Sequence, residues 1–250
     1  MAGDRVPAER LALWLTLRLA GDTEDAQALA RAGWAARRLQ GGLGPQDDLA
    51  TFLGRQSDDA RLADQIADWQ EVMGQGAKLH PISRAALGFY LWPVVGLSAG
   101  LGGAAPLPLM EAAVVAARFA LQEGGAEDAL FLPLALGGAG GLRGTGTPQD
   151  RLQRWIAGAD HATRAALRVL DRVQAWEDRA HATCAPLSGR TPPQLIHLLS
   201  AWPLISAPLA EAETGASRAA IQRNLNRMTQ AGIIREVTGQ GRYRFWTAKV

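Results

Sequence analysis

The sequence has very little cysteine and no stretch that suits an export signal. Its single cysteine, Cys184, excludes an intramolecular disulfide and any zinc site built from a cysteine cluster. The apolar stretch LALWLTLRLA near the N-terminus is interrupted by Arg18, and Asp4 and Glu9 precede it, which is not typical of a secretory signal. A reducing cytoplasm is therefore the expected location.

The sequence also lacks a recognisable constellation of metal-binding or catalytic residues. Its four histidines are scattered, and His161 and His181 on one predicted helix are about 30 Å apart along the axis, too far to share a metal. The glycine-rich segment 140–147 has neither the following lysine nor the preceding strand of a phosphate-binding loop, so it predicts a flexible linker or surface loop. We expect no catalytic residue, no metal and no cofactor.

Acidic residues are scarce towards the C-terminus. From residue 187 to 250, eight arginine or lysine residues stand against three acids, whereas the rest of the chain has 18 basic and 21 acidic residues. The net charge of the whole chain, +2, conceals this asymmetry. A local excess of positive charge is one feature of nucleic-acid binding, and an ordinary solvated basic surface is the alternative.

Runs of β-branched residues are scarce in the first 186 residues, which predicts a helical region. Apolar residues recur there at intervals of three and four, and glycine- or proline-rich segments separate the periodic stretches. The predicted helices cover residues 8–20, 24–39, 58–73, 83–96, 107–123 and 149–184.

The uncharged stretch from residue 85 to 110 is long enough to span a bilayer. It contains three prolines and five glycines, which would interrupt a spanning helix. A buried helix followed by a glycine-rich loop is therefore the preferred interpretation, and we expect no membrane association.

The sequence APLSGRTPP at 185–193 predicts a boundary between a helical domain, residues 1–186, and a C-terminal domain, residues 187–250. Thr191, followed by two prolines, is placed to cap the first helix of the second domain. That helix is expected to bury Leu195, Ile196, Leu198, Leu199 and Trp202.

Two further helices follow with a short turn between them. Ser206 can cap a helix from Ala207 to Thr214, which ends at Gly215. Ser217 can cap a third helix, from about Arg218 to Ala231. A helix, a glycine-containing turn and a second capped helix form a helix-turn-helix.

The third helix is the predicted recognition helix. It buries Ile221, Leu225 and Met228 at positions i, i+4 and i+7. The opposite side carries arginine, glutamine and alanine, which suit guanine, adenine and the thymine methyl group. A solvated helix face is the alternative for this helix alone. The predicted DNA-binding residues on it are Ser217, Arg218, Ala219, Gln222, Arg223, Asn226 and Arg227, with Ser217 on phosphate and Arg218, Gln222 and Arg223 on bases.

A β-hairpin is predicted after this helix. Residues 233–237 form the first predicted strand and residues 242–246 its return, joined by a tight turn in which Gly239 and Gly241 permit the geometry. The hairpin adds Arg242 and Arg244 to the predicted DNA-binding residues, as contacts to phosphate. Because side chains alternate, these arginines share one face and Tyr243 and Phe245 the other. The arginines then face DNA and the aromatic rings the core, or the reverse.

Three helices and a two-stranded hairpin make a winged helix-turn-helix. The predicted fold class is therefore mostly α: a helical N-terminal domain followed by a winged helix-turn-helix with a two-stranded β wing.

The C-terminal sequence AETGASRAAIQRNLNRMTQAGIIREVTGQGRYRFW resembles the winged-helix modules of many bacterial regulators. It is most similar to the module that ends many Fic-family proteins, in which the helix is likewise followed by GI-[IL]-RE-VTG-x-x-R-x-R. Uncharacterised alphaproteobacterial proteins that join a domain of unknown function to a helix-turn-helix share this plan.

Two segments of the helical region extend the resemblance. LHPISRAALGFYLWPVVG at 79–96 is similar to the Fic helix that begins His-Pro, and RLQRWIAGADHATRAALRVLDRV at 151–173 to the helix between a Fic core and its winged helix. The Fic catalytic motif, His-Pro-Phe-x-Asp/Glu-Gly-Asn-Gly-Arg, is replaced by GLSAGLGGA at 96–104. The base, the metal ligand and the phosphate-binding arginine are missing, so the resemblance implies a Fic-like scaffold without nucleotidyl transfer.

The sequence thus predicts a bacterial transcriptional regulator that binds double-stranded DNA sequence-specifically, and not an enzyme. Its helical domain would form a homodimer or sense a signal. Two alternatives stay open: a protein-interaction adaptor on the same scaffold, since fold does not fix function, and an enzyme with an unrecognised site around residues 96–104.

Overall fold

The computed structural model describes residue 11 and residues 23–55, 60–97, 107–120, 131–239 and 244–250. These residues belong to two units: one covers Ala26–Ala166, and the other covers Leu167–Val250 together with the described residues before Ala26. The predicted fold class is confirmed, because the described chain is mostly helical and carries one small antiparallel sheet near the C-terminus.

The first unit is built from helices and two short 3-10 turns. Most predicted helices are present, but the helix expected at 83–96 ends at Leu91, because Pro93 has no N–H to continue the helical hydrogen bonds. The five-residue helix Leu49–Leu53 was not predicted, since it is too short to show the periodic spacing of apolar residues that identifies a helix. The helix predicted at 8–20 lies almost wholly outside the described residues. The elements are α1 (Thr23–Leu39), α2 (Leu49–Leu53), α3 (Ala60–Gln75), α4 (Pro81–Leu91), α5 (Leu107–Phe119), 3-10 turns at Leu134–Gly137 and Ala139–Leu142, and α6 (Pro148–Cys184).

Tryptophan side chains form the centre of the first unit. The Trp69 ring meets Trp92 and Phe119 edge-on, with ring centroids 6.1 and 6.0 Å apart. Buried indole N–H groups need acceptors, and the Nε1 of Trp69 donates to the Gly88 carbonyl at 3.2 Å while that of Trp155 donates to the Ile82 carbonyl at 3.0 Å. These bonds tie α3 and α6 to α4. Among the described residues, no helix combines the length and apolar character that a membrane crossing requires.

A buried ion pair connects the loop after α2 to α5. The Arg55 guanidinium donates to a carboxylate oxygen of Glu111 and, at 2.7 Å, to the Leu97 carbonyl. Glu111 is only 6% exposed. Burial raises the pKa of Glu111, against the opposing effect of the positive charges on Arg55 and Arg38. Burying these two charges is costly, and each compensates the other. Removal of either side chain therefore leaves an uncompensated buried charge.

The segment 140–147, predicted as a flexible linker or surface loop, is an exposed loop over residues 143–147. The two 3-10 turns before this loop lie against α6 so closely that a Cβ on Gly158 would come within 2.9 Å of the Gly141 Cα. A Cβ on Gly137 would come within 2.5 Å of the Gly158 carbonyl oxygen. The glycines serve close backbone packing, a role that composition alone does not distinguish from flexibility.

Gly158→Ala is accordingly expected to destabilise the protein by about 1–3 kcal/mol, since the added methyl group forces two backbones apart. In most exposed helix interiors the same change is neutral or stabilising. Gly74→Ala in α3 is the matched control, because a Cβ there meets nothing within 4 Å. Thermal unfolding of both variants measures the difference, and equal midpoints would contradict the close approach.

The second unit contains the end of α6 and the C-terminal helices and strands. Trp176 of α6 is fully buried in its core, and its Nε1 donates to the Ile233 carbonyl at 2.7 Å. The predicted domain boundary at residue 186 stays a prediction, and it would separate Trp176, Ala180 and Cys184 from the core in which they pack. The elements are α7 (Thr191–Ala201), β1 (Ile205–Ser206), α8 (Ala207–Thr214), α9 (Arg218–Gln230), β2 (Ile234–Glu236) and β3 (Phe245–Ala248).

The sheet has three strands in the order β1–β3–β2, all antiparallel. Ile205 pairs with Trp246, and Arg235 pairs with Thr247. The predicted hairpin is present as β2 and β3; of the return strand predicted at 242–246, the described residues from Phe245 onward belong to β3. The sheet fixes the hairpin to the chain segment that precedes α8.

Candidate nucleic-acid interface

The turn between α8 and α9 is held by capping groups at both ends. The Ser206 hydroxyl accepts a hydrogen bond from the Leu209 N–H at the start of α8, and Gly215 ends that helix in the left-handed region with φ of 64°. The Ser217 hydroxyl accepts a hydrogen bond from the Ala220 N–H at 3.4 Å and starts α9. These contacts confirm the predicted helix-turn-helix geometry.

The inner side of α9 fixes which side faces outward. Ile221, Leu225 and Met228 are fully buried, as predicted. Asn224 is also buried, and its Nδ2 donates to the Ala220 carbonyl at 2.9 Å. This buried asparagine was missed, because its side chain is satisfied within the helix itself.

Six of the seven predicted DNA-binding residues of this helix and its cap lie exposed on the opposite side, and Gln222 is half-buried. The helix contains no acidic residue, so its exposed side is basic and polar. The exposed residues are Ser217, Arg218, Ala219, Arg223, Asn226 and Arg227.

Neighbouring side chains already engage two of the predicted base-contacting residues. The Arg218 guanidinium forms an ion pair with Glu211 of α8. The Gln222 Nε2 donates to the Asn226 Oδ1 at 3.2 Å, one helical turn away. Both contacts are at the surface, where such interactions contribute little, so a ligand could replace them at small cost.

The end of β2 organises the wing turn through a single carboxylate. Glu236 accepts hydrogen bonds from the N–H groups of Thr238, at 2.8 Å, and Gly239, at 3.1 Å. Gly239 lies in the left-handed region with φ of 62°, a conformation that glycine adopts readily, whereas the other predicted turn glycine, Gly241, lies outside the described residues. Burial opposes ionisation of Glu236, but the hydrogen bonds from Thr238 and Gly239 and the charge of Arg244 lower its pKa below the ordinary value.

The returning strand places aromatic side chains in the core. Phe245 is buried, in agreement with the first of the two predicted orientations, and Trp246, which alternation places on the same face as Arg244, is buried as well. Arg244 is half-buried, and its guanidinium carbon is 4.9 Å from the centroid of the Trp246 ring. Arg242 and Tyr243 lie outside the described residues.

Trp202 and Thr191 differ from expectation. Trp202 is 47% exposed, because α7 ends at Ala201 and the backbone is extended at Trp202. Thr191 is the first helical residue instead of the cap; Arg190 occupies the cap position and its side chain makes no capping hydrogen bond. Neither difference moves a predicted DNA-binding residue.

Comparison with known proteins agrees with this geometry. Residues 192–248 match a family model described as an HTH DNA binding domain. A search of curated proteins found no match to the chain. The family match does not reach the helical unit, so the resemblance of that region to the Fic scaffold stays a prediction. The chain carries a helix-turn-helix DNA-binding domain with a β wing at residues 192–248.

Proposed function

We propose that the protein is a transcriptional regulator that binds duplex DNA sequence-specifically through α9, with the wing on the phosphate backbone. The observation that carries the proposal is the exposed basic side of α9, which contains no acid and stands directly after the capped helix-turn-helix turn. A recognition helix reads base edges with its N-terminal residues, here Arg218, Gln222 and Arg223. The assignment of base contacts to these three residues rests on their position near the N-terminal end of α9.

The predicted helical domain, residues 1–186, is proposed to form a homodimer or to sense a signal, and no catalytic role is assigned to it. Leu167 and Leu170 support the dimer, because they are 53% and 62% exposed and lie three residues apart on α6. Apolar residues at this spacing lie on one side of a helix, which is the side that a helix buries against another element. Two recognition helices in a dimer would read half-sites about 34 Å apart.

Mobility shift of the full chain with DNA fragments from its own genomic neighbourhood tests the proposal. We expect one fragment to bind at least about a thousandfold more tightly than unrelated DNA, with affinity falling as salt increases. Binding with equal affinity to every fragment would contradict sequence specificity. No shift on any fragment would contradict DNA binding and favour the protein-interaction adaptor.

The wing has a separate test in Arg242→Ala/Arg244→Ala. Arginines that contact phosphate contribute equally on every sequence, so the double variant is expected to weaken binding uniformly. The slope of log affinity against log salt should flatten by about 1.8, the value for two lost phosphate contacts. Lys249→Ala, beyond the sheet, is the control. Unchanged affinity in the double variant would remove the wing from the interface.

A further inference from the structure

A cavity of about 430 Å³ opens on the first unit between α4 and the start of α6. Its volume is within the range of small-molecule sites, about 300–1,000 Å³. The walls are mostly apolar and come from both helices and the residues flanking α4. The lining includes Leu79, Ala86, Leu87, Leu91, Val94 and Leu152.

Several of the apolar side chains that line the cavity are largely exposed to solvent. Val94 is 76% exposed and Leu79 is 46% exposed, and both line the same opening. Scattered exposed leucines are ordinary, but apolar side chains grouped around a concave opening mark a site that another molecule covers.

One charged side chain, that of Arg151, lines the cavity among the residues that the structure describes. Its guanidinium carbon is 5.5 Å from the centroid of the Tyr90 ring, which also lines the cavity. The Arg151 Nε is buried and has no hydrogen-bond partner in the described part of the chain. Because that nitrogen has almost no accessible surface, an anionic oxygen in the cavity would pair with the charge of the guanidinium group that lines it.

Tyr90 holds its position through its own hydroxyl group. That hydroxyl donates to the Gly141 carbonyl at 3.0 Å, so it is engaged with the packed glycine segment. Burial raises the pKa of Tyr90, although the positive charges of Arg154 and Arg151 act in the opposite direction. The polar side of the cavity is therefore cationic, and no acid is among its described lining residues.

We infer that this cavity binds a small amphiphile with one carboxylate, whose apolar body lies on the leucines and Val94 and whose carboxylate accepts hydrogen bonds from Arg151. A guanidinium matches the geometry of a carboxylate, and the single lining cation matches a single negative charge. A neutral apolar ligand, or a peptide helix without a carboxylate, would offer no negative charge to Arg151. The claim that this ligand is the effector of a regulator rests on the proposed function. The claim that the cavity binds such a ligand rests only on the residues that line it.

Titration calorimetry of the full chain with octanoate, octanamide and octylammonium tests the ligand class. Octanoate is expected to bind at least about tenfold more tightly than octanamide, since one charge-assisted hydrogen bond makes that difference, and octylammonium more weakly still. Arg151→Gln should abolish the preference for octanoate over octanamide. Val94→Asp should weaken both ligands, because it places an acid at the apolar opening.

Arg37→Gln and Leu43→Asp are the matched controls, since both residues are exposed in the same unit and away from the cavity. Both should bind octanoate like the unchanged chain. Equal affinity for octanoate and octanamide, a preference retained in Arg151→Gln, or binding of neither ligand would overturn the inference. Self-association that Val94→Asp abolishes, without octanoate binding, would assign the cavity to a second copy and also overturn it.

The same titrations separate this inference from the proposed function. A chain that binds its DNA fragment but not octanoate would overturn the cavity assignment alone. A chain that binds octanoate with the predicted Arg151 dependence but binds no DNA would support the cavity and contradict the proposed function.

Discussion

Arg223→Glu/Arg227→Glu is expected to weaken binding to duplex DNA by about a hundredfold or more. Both side chains are exposed on α9 and one helical turn apart, and the reversal places two negative charges where the proposed complex has base edges and phosphates. Because neither residue is in the core, the midpoint of thermal unfolding should change little. Fluorescence anisotropy with a labelled duplex measures the affinity.

Arg168→Glu/Arg172→Glu is the matched control. These two arginines are also exposed and one turn apart on a helix, α6, so the change in net charge is the same. The control should lose only the small part of the affinity that depends on overall charge. Equal losses in the two double variants would mean that net charge, and not the position of α9, determines binding.

Arg55→Met is expected to lower the free energy of unfolding by about 3–5 kcal/mol, because it leaves the Glu111 carboxylate buried without its counter-charge. The double variant Arg55→Met/Glu111→Leu removes both charges and is expected to lie within about 1–2 kcal/mol of the unchanged protein. Arg164→Met, which breaks the exposed ion pair with Asp160, should have no measurable effect. Chemical unfolding of the three variants provides the comparison.

The deficit of Arg55→Met should also depend on pH. The pKa of Glu111 is already raised in the folded protein, and loss of the Arg55 charge raises it further. A raised carboxyl pKa favours the folded state at low pH, and this contribution is lost as pH rises through the folded-state pKa. The deficit should therefore shrink as pH falls towards the ordinary carboxyl range. A deficit independent of pH would contradict the assignment to a buried, unpaired Glu111.

The DNA-binding domain could be predicted from local signals in the sequence. Ser206, Gly215 and Ser217 act at helix ends through their own conformations and hydroxyl groups, and the spacing of Ile221, Leu225 and Met228 identifies the buried side of α9 directly. Each of these features needs only a few neighbouring residues. That is why the turn, the recognition helix and its exposed side agree with expectation.

The features that were missed depend on residues far apart in the chain. Strand β1 has two residues and exists because Ile205 pairs with Trp246. Two residues are too few to show an alternating pattern in the sequence. Gly141 and Gly158, which belong to two different elements, pack together. From composition alone, a glycine-rich segment predicts flexibility instead. The cavity also joins α4 to α6, and neither helix alone indicates that Arg151 stands at an apolar opening.

Photo-crosslinking from α9 tests the central claim most directly. A photoreactive side chain placed at position 219, which is exposed near the N-terminal end of α9, should crosslink to bases of the bound duplex. The same side chain at position 168, exposed on α6, should give no crosslink to bases. Crosslinks to bases from position 219 alone are the predicted result. Their absence at position 219 in a shifted complex, or their appearance from position 168 instead, would contradict recognition of DNA by α9.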